Sequence, residues 1–189
     1  MSAQPTPRFT HEEFLDREIQ SPFRHEFRQG RIEMMAGGTR THSLIASNFL
    51  VLLGQILGDR DCEVHGPELL VHIAKALTST YPDVMVICGL PSYADRREII
   101  VDNPILVVEV LSPSTEDYDR GEKFEAYKQL PSLREFVLVN QKAAQVECFS
   151  LRPDGSWQHT DVLGMNACLT LESLGVEIPL GSIYRRVTF

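Results

Sequence analysis

A single acid sits in the middle of an apolar, β-branched run: Ile105-Leu106-Val107-Val108-Glu109-Val110-Leu111. The run is seven residues long and ends at a Ser-Pro turn, as expected of a buried strand. A carboxylate buried there is costly unless a cation pairs with it. The fold must therefore bring a basic group or a metal ion to Glu109. A second strand-like segment, Tyr81-Pro82-Asp83-Val84-Met85-Val86-Ile87, opens on an acid, and a charged helix containing Lys123 follows the first. Two carboxylates and a lysine on neighbouring elements are the raw materials of a divalent-metal site for phosphodiester hydrolysis.

The chain of 189 residues is long enough for one domain with a substantial core. Its hydrophobic share of 43% and charged share of 23% are those of a globular domain. No apolar run approaches the roughly 20 residues of a membrane span. The opening residues carry no basic-plus-apolar signal pattern, so the expected location is cytoplasmic. The net charge of −8 argues against a broad basic surface, and any grip on nucleic acid is expected to be weak, local or dependent on assembly. Cys62, Cys88, Cys148 and Cys168 are scattered without a C-x-x-C pair, and they are expected as free thiols rather than a disulfide or zinc site.

Thr10-His11-Glu12-Glu13 reads as a capping box opening a short helix. Residues 22–35 read as a hairpin around Gln29-Gly30, and Gly37-Gly38 as a turn. A long helix is predicted over 41–57, with Ile45, Phe49, Leu52 and Ile56 on one face, Thr41 as cap and Gly58 as stop. Strands are predicted at 62–65, 68–73, 83–88 and 105–111, with a charged surface loop including residues 95–98. A helix from about Tyr118 to Leu130 precedes a hairpin of strands at 135–140 and 144–150, and short strands complete the chain. The fold class is one α/β domain spanning 1–189, with no repeat or low-complexity linker.

Two readings stay open for each candidate when the residues are taken alone. Asp83 either binds metal or starts its strand after Pro82. Glu109 either binds metal or forms a structural ion pair with Arg120 or Lys123. The Val110 backbone carbonyl is a candidate third oxygen ligand. Glu116, Asp117 and Asp119 are expected to stabilise a helix start through its dipole. No G-x-S-x-G elbow supports a serine hydrolase, and the histidines lack H-E-x-x-H spacing.

Tyr81-Pro82-Asp83-Val84, followed by Val107-Val108-Glu109-Val110-Leu111-Ser112-Pro113-Ser114-Thr115, resembles the Uma2 family of restriction-endonuclease-like proteins in the PD-(D/E)XK nuclease superfamily. The resemblance extends over nearly the whole chain. Thr10-His11-Glu12-Glu13-Phe14-Leu15 is similar to the family's opening helix. Residues 24–32 are similar to its arginine–tyrosine–glutamate…glycine segment, with His25 in the tyrosine position. The superfamily's third motif places lysine two residues after the acid, where this chain has Leu111. The family takes its lysine from the following helix, which matches Lys123, with Lys128 as the competitor on another face.

The resemblance implies a restriction-endonuclease-like core, a mixed sheet flanked by helices with extra N- and C-terminal strands. It also implies Mg²⁺ or Mn²⁺ held by Asp83, Glu109 and the Val110 carbonyl. Lys123 would then assist at the phosphate, and Glu26, His42 and Tyr127 would give support. Glu26 has a surface position beside Arg24 or Arg28 as its alternative, His42 a structural hydrogen bond, and Tyr127 simple packing. The implied activity is DNA phosphodiester hydrolysis, with RNA or a nucleotide as other phosphodiesters. The rival is a binding or assembly module that keeps the fold with little or no catalysis. A homodimer through the C-terminal strands is expected, since isologous pairs are the commonest assembly.

Overall fold

The structure, a computed structural model, describes residues 8–35, 37–95 and 98–189. The readings of residues 1–5 and of Arg96-Arg97 in the charged loop lie outside the described residues. The first described element is helix α1 (His11–Glu18), opened by the expected capping box: Glu13 N–H donates to Thr10 Oγ1 at 3.2 Å, and Thr10 N–H donates to Glu13 Oε2 at 2.7 Å. Strands β1 (His25–Arg28) and β2 (Arg31–Met34) form the expected hairpin. Gln29 and Gly30 both have positive φ, 48° and 89°, as a tight two-residue connection with matched twist requires.

Helix α2 (Arg40–Leu57) stops at Gly58 as expected, but its cap is Thr39 rather than Thr41. Thr39 is extended and its hydroxyl accepts from the His42 N–H at 3.1 Å, whereas residue 41 already lies inside the first turn. Strands β3 (Cys62–His65), β4 (Leu70–Ile73), β5 (Thr78–Thr80), β6 (Val84–Cys88), β7 (Ile100–Val101) and β8 (Leu106–Val110) follow. The chain then crosses over one face through α3 (Glu116–Tyr118), a π-helical turn (Asp119–Lys123) and α4 (Phe124–Tyr127) before β9 (Glu135–Val139). This run begins earlier than the predicted helix and is not one regular α-helix. Strands β10 (Gln145–Leu151), β11 (Trp157–Leu163), β12 (Cys168–Leu171) and β13 (Val176–Pro179), then α5 (Leu180–Ile183), complete the fold.

The central sheet has the order β11-β10-β9-β8-β6-β3 and is mixed: β8 and β9 are parallel, the other pairs antiparallel. Alternation along β8 divides its side chains between two cores. Val108 and Val110 pack toward Phe49 and Leu53 of α2, while Val107 and Leu111 pack toward Phe124 and Tyr127 of the crossover. Glu109 shares the second face because side chains two apart point the same way. A second sheet, β2-β1-β5-β4-β7, contributes to a smaller core of Phe14, Phe27, Leu70, Tyr81 and Ile100.

One expectation is corrected. Cys62 and Cys88 are joined in a disulfide, and the free thiols are Cys148 and Cys168. The antiparallel register of β3 and β6 places Cys62 directly opposite Cys88, a proximity that linear spacing does not reveal.

Candidate active site

The antiparallel register of β6 and β8 pairs Val84 with Val108. Carried one residue further, it sets Asp83 across from Glu109 at the end of the shared sheet. Asp83 is tied there by two bonds to one oxygen. The Val110 N–H donates to Oδ2 at 2.7 Å, and His42 Nε2 lies 3.1 Å from the same atom. Gly38 lets His42 approach, since a Cβ at that position would stand 3.0 Å from His42 Nδ1. Burial opposes charge on His42, but the bond to Asp83 and the charges of Asp83 and Asp119 outweigh it and raise its pKa.

Glu109 is buried at 4% exposure and has two partners from the crossover. Lys123 Nζ donates to its Oε1 at 2.9 Å, and Tyr127 Oη donates to the same oxygen at 3.2 Å. Lys123 also meets Glu26 Oε1 at 3.3 Å and Asp119 Oδ1 at 3.7 Å. Glu26 arrives from β1 in the other sheet, where it accepts from the Thr80 hydroxyl and lies 3.4 Å from Arg28. The crossover thus joins the two sheets through one ammonium. Burial pushes the Glu109 pKa well up, and the nearby Asp83 and Asp119 add to this against the pull of Lys123. Lys123 is held charged, because Glu109, Glu26 and Asp119 overcome its own desolvation.

Asp83, His42, Glu109, Lys123, Glu26 and Asp119 line one cavity of about 340 Å³, together with Val110 and the Ser112–Thr115 loop, while Tyr127 braces Glu109 from behind the lining. Lys128, the competing lysine, points elsewhere and pairs with Glu125. Arg120 serves Glu116 and Glu147 rather than Glu109. Asp119, Arg28 and Tyr118 are among the lining residues that the sequence does not single out. Asp119, expected to stabilise a helix start, is buried beside Lys123, and its position four residues before that lysine is the available signal. Arg28 and Tyr118 stack across the cavity, the guanidinium carbon 3.6 Å from the ring centroid. No spacing in the sequence links them, because Arg28 comes from β1 and Tyr118 from α3, far apart in the chain.

Glu26, Asp83, Glu109 and Asp119 face Lys123, Arg28 and His42 in this cavity. Glu33 also lies on the wall, so the carboxylates outnumber the cations and leave an excess of hard oxygen donors, chemistry that suits Mg²⁺ or Mn²⁺.

Comparison with known proteins identifies the family and the fold. The Uma2 family, described as "Putative restriction endonuclease", matches residues 11–181. The chain belongs to the Uma2 family. Two uncharacterised proteins of Synechocystis are similar along most of their length. One, slr1290, is 36% identical over 188 residues, covering 98% of this chain and 96% of its own. The other, sll1609, is 36% identical over 167 residues, covering 88% and 94%. A crystal structure from Anabaena variabilis, described as a "putative nuclease belonging to DUF820", superposes with a TM-score of 0.75. It covers 93% of this chain and 97% of its own at 16% identity, a likeness of fold. This Uma2 chain has the restriction-endonuclease-like α/β fold, and among the described residues no helix is long and apolar enough to cross a membrane.

Proposed function

We propose that this Uma2 protein is a metal-dependent endonuclease hydrolysing DNA phosphodiester bonds at the Asp83–Glu109–Lys123 cavity. The observation that carries the proposal is the convergence of Glu109, Glu26 and Asp119 on the buried ammonium of Lys123, with Asp83 across the strand pair. Asp83, Glu109 and the Val110 carbonyl would hold Mg²⁺ or Mn²⁺. A bound divalent ion supplies Lewis-acid polarisation of the phosphate and an acidified water.

The chain's own groups have separable tasks. His42 and the Val110 N–H orient the Asp83 carboxylate, leaving Oδ1 for a ligand. Lys123 and Tyr127 both bond Oε1 of Glu109, which leaves Oε2 for the same purpose. Lys123 also offers positive charge for the negative charge developing on the phosphate in the transition state. Arg28, over the Tyr118 ring and paired with Glu33, lies on the cavity wall as a second cation for a phosphate. With a net charge of −8, binding is expected to rest on these local groups. The fold-family tendency of double-strand cutters to act in symmetric pairs supports a homodimer.

Asp83→Asn and Glu109→Gln are expected to abolish Mg²⁺- or Mn²⁺-dependent cleavage of plasmid DNA with the far-ultraviolet spectrum unchanged. Calorimetric titration with Mn²⁺ should show binding to the wild type that both variants lose. Folded variants that still cleave would overturn the assignment. A wild type that neither binds Mn²⁺ nor cleaves would favour the rival, a non-catalytic binding or assembly module.

A further inference from the structure

Away from the cavity, the β10–β11 ribbon carries a second group of side chains. Its register pairs Glu147 with Asp161 and Phe149 with His159. His159 Nε2 lies 3.6 Å from Glu147 Oε2 and 3.6 Å from Asp161 Oδ1. All three ligand atoms fall within 4.8 Å of one another, and among the described residues no other such His, Cys and acid group forms. A tetrahedral zinc shell with bonds of about 2.1 Å spaces neighbouring ligand atoms by about 3.4 Å. The two imidazole–carboxylate spacings of 3.6 Å need only a small contraction to reach it.

Two carboxylates directly opposite one another on antiparallel strands repel. Arg120 relieves this on one side, since its guanidinium bonds Oε1 of Glu147, not the oxygen facing His159. That bond also fixes the Glu147 carboxylate, much as an outer-shell partner orients a metal ligand. The imidazole is fixed too: His159 stacks on Phe149 with centroids 4.6 Å apart and planes 13° apart. Glu147 is nearly buried at 11% side-chain exposure, while His159 and Asp161 are open at 44% and 48%, leaving room for water on the outer side.

We propose that Glu147, His159 and Asp161 form a binding site for a divalent transition ion such as Zn²⁺, separate from the carboxylate cavity. One imidazole and two carboxylates suit a borderline ion rather than Mg²⁺, which favours oxygen ligands alone. The strands supply a rigid base, and the open side leaves a coordination position to solvent. The site does not depend on the nuclease assignment, because it shares none of Asp83, Glu109 or Lys123.

The test is calorimetric titration of the full chain with ZnCl₂ in an Asp83→Asn, Cys168→Ser background, which disables the cavity and removes an exposed thiol. One Zn²⁺ per chain is expected. Adding His159→Ala should weaken its affinity at least about tenfold, and Asp161→Asn, which alters a half-exposed side chain without truncating it, should do the same. The His159 ring resonances should shift on Zn²⁺ addition. Absence of saturable binding in the background, or binding unchanged by both further substitutions, would overturn the site.

Discussion

Lys123 and Glu109 form a buried ion pair, 2.9 Å from Nζ to Oε1, in which the lysine comes from a π-helical turn and the acid from near the end of an interior strand of the sheet. Neither charge is tolerable alone in that position. A π-helical turn widens the backbone by one residue, and such turns are frequent at functional sites. Here it includes Asp119 and Lys123, both of them buried.

Removing the cation from this arrangement should be expensive. Lys123→Ala leaves Glu109, Glu26 and Asp119 facing one another without the ammonium, and a loss of about 3–5 kcal/mol in urea denaturation is expected. Glu109→Gln keeps an acceptor for Lys123 and Tyr127 and should cost far less. Equal losses for the two variants would contradict the description of Lys123 as the hub.

His42 reports on Asp83. Its pKa is raised because the bond and charge of Asp83 outweigh burial, so Asp83→Asn should lower it. Histidine ring resonances followed against pH will read this directly. A His42 titration that stays in place would show that Asp83 is not its controlling partner.

The four cysteines should fall into three classes. Cys62 and Cys88 are covalently joined, Cys168 is exposed, and Cys148 is buried with its thiol pushed up to about 11 by desolvation. Without reductant the native protein should therefore show one fast-reacting thiol, and the unfolded protein two. The disulfide closes a loop with a sequence separation of 26, for which chain entropy alone suggests about 3 kcal/mol of stabilisation. Four thiols in the unreduced, unfolded protein would rule the pairing out.

Acid should loosen the seat of α1. His11 Nε2 lies 2.8 Å from Ser79 Oγ, and His72 Nδ1 lies 2.9 Å from the same atom. Burial, then the neighbouring His72, lowers the His11 pKa from 6.5 to about 4. The folded value is below the unfolded one, so the unfolded chain binds more protons between them. The stability contributed is complete above pH 6.5 and is lost as the pH falls toward 4. Melting temperatures of His11→Gln should decline less steeply across that window than those of the wild type; parallel curves would remove His11 as the cause.

Much of this arrangement follows from local signals. The acid inside an apolar β-branched run marks Glu109 as a group that needs a partner, because desolvation makes an unpaired carboxylate there untenable. The capping box at Thr10, the Gln29-Gly30 turn and the Gly58 stop are short-range backbone chemistry, visible wherever the residues stand together. The family motifs likewise lie in contiguous segments.

What the sequence left open depends on contacts between distant segments. Lys123 rather than Lys128 reaches the acid because the packing of the crossover on the sheet decides which helical face turns inward, and Lys128 is left to pair with Glu125. Asp119 joins the cavity for the same reason. Glu26 is brought in by a separate sheet, Arg28 meets Tyr118 across the cavity, and Cys62 meets Cys88 through strand register. Local energetics determines which residues need partners, and the pairing of strands and layers decides which partners they have.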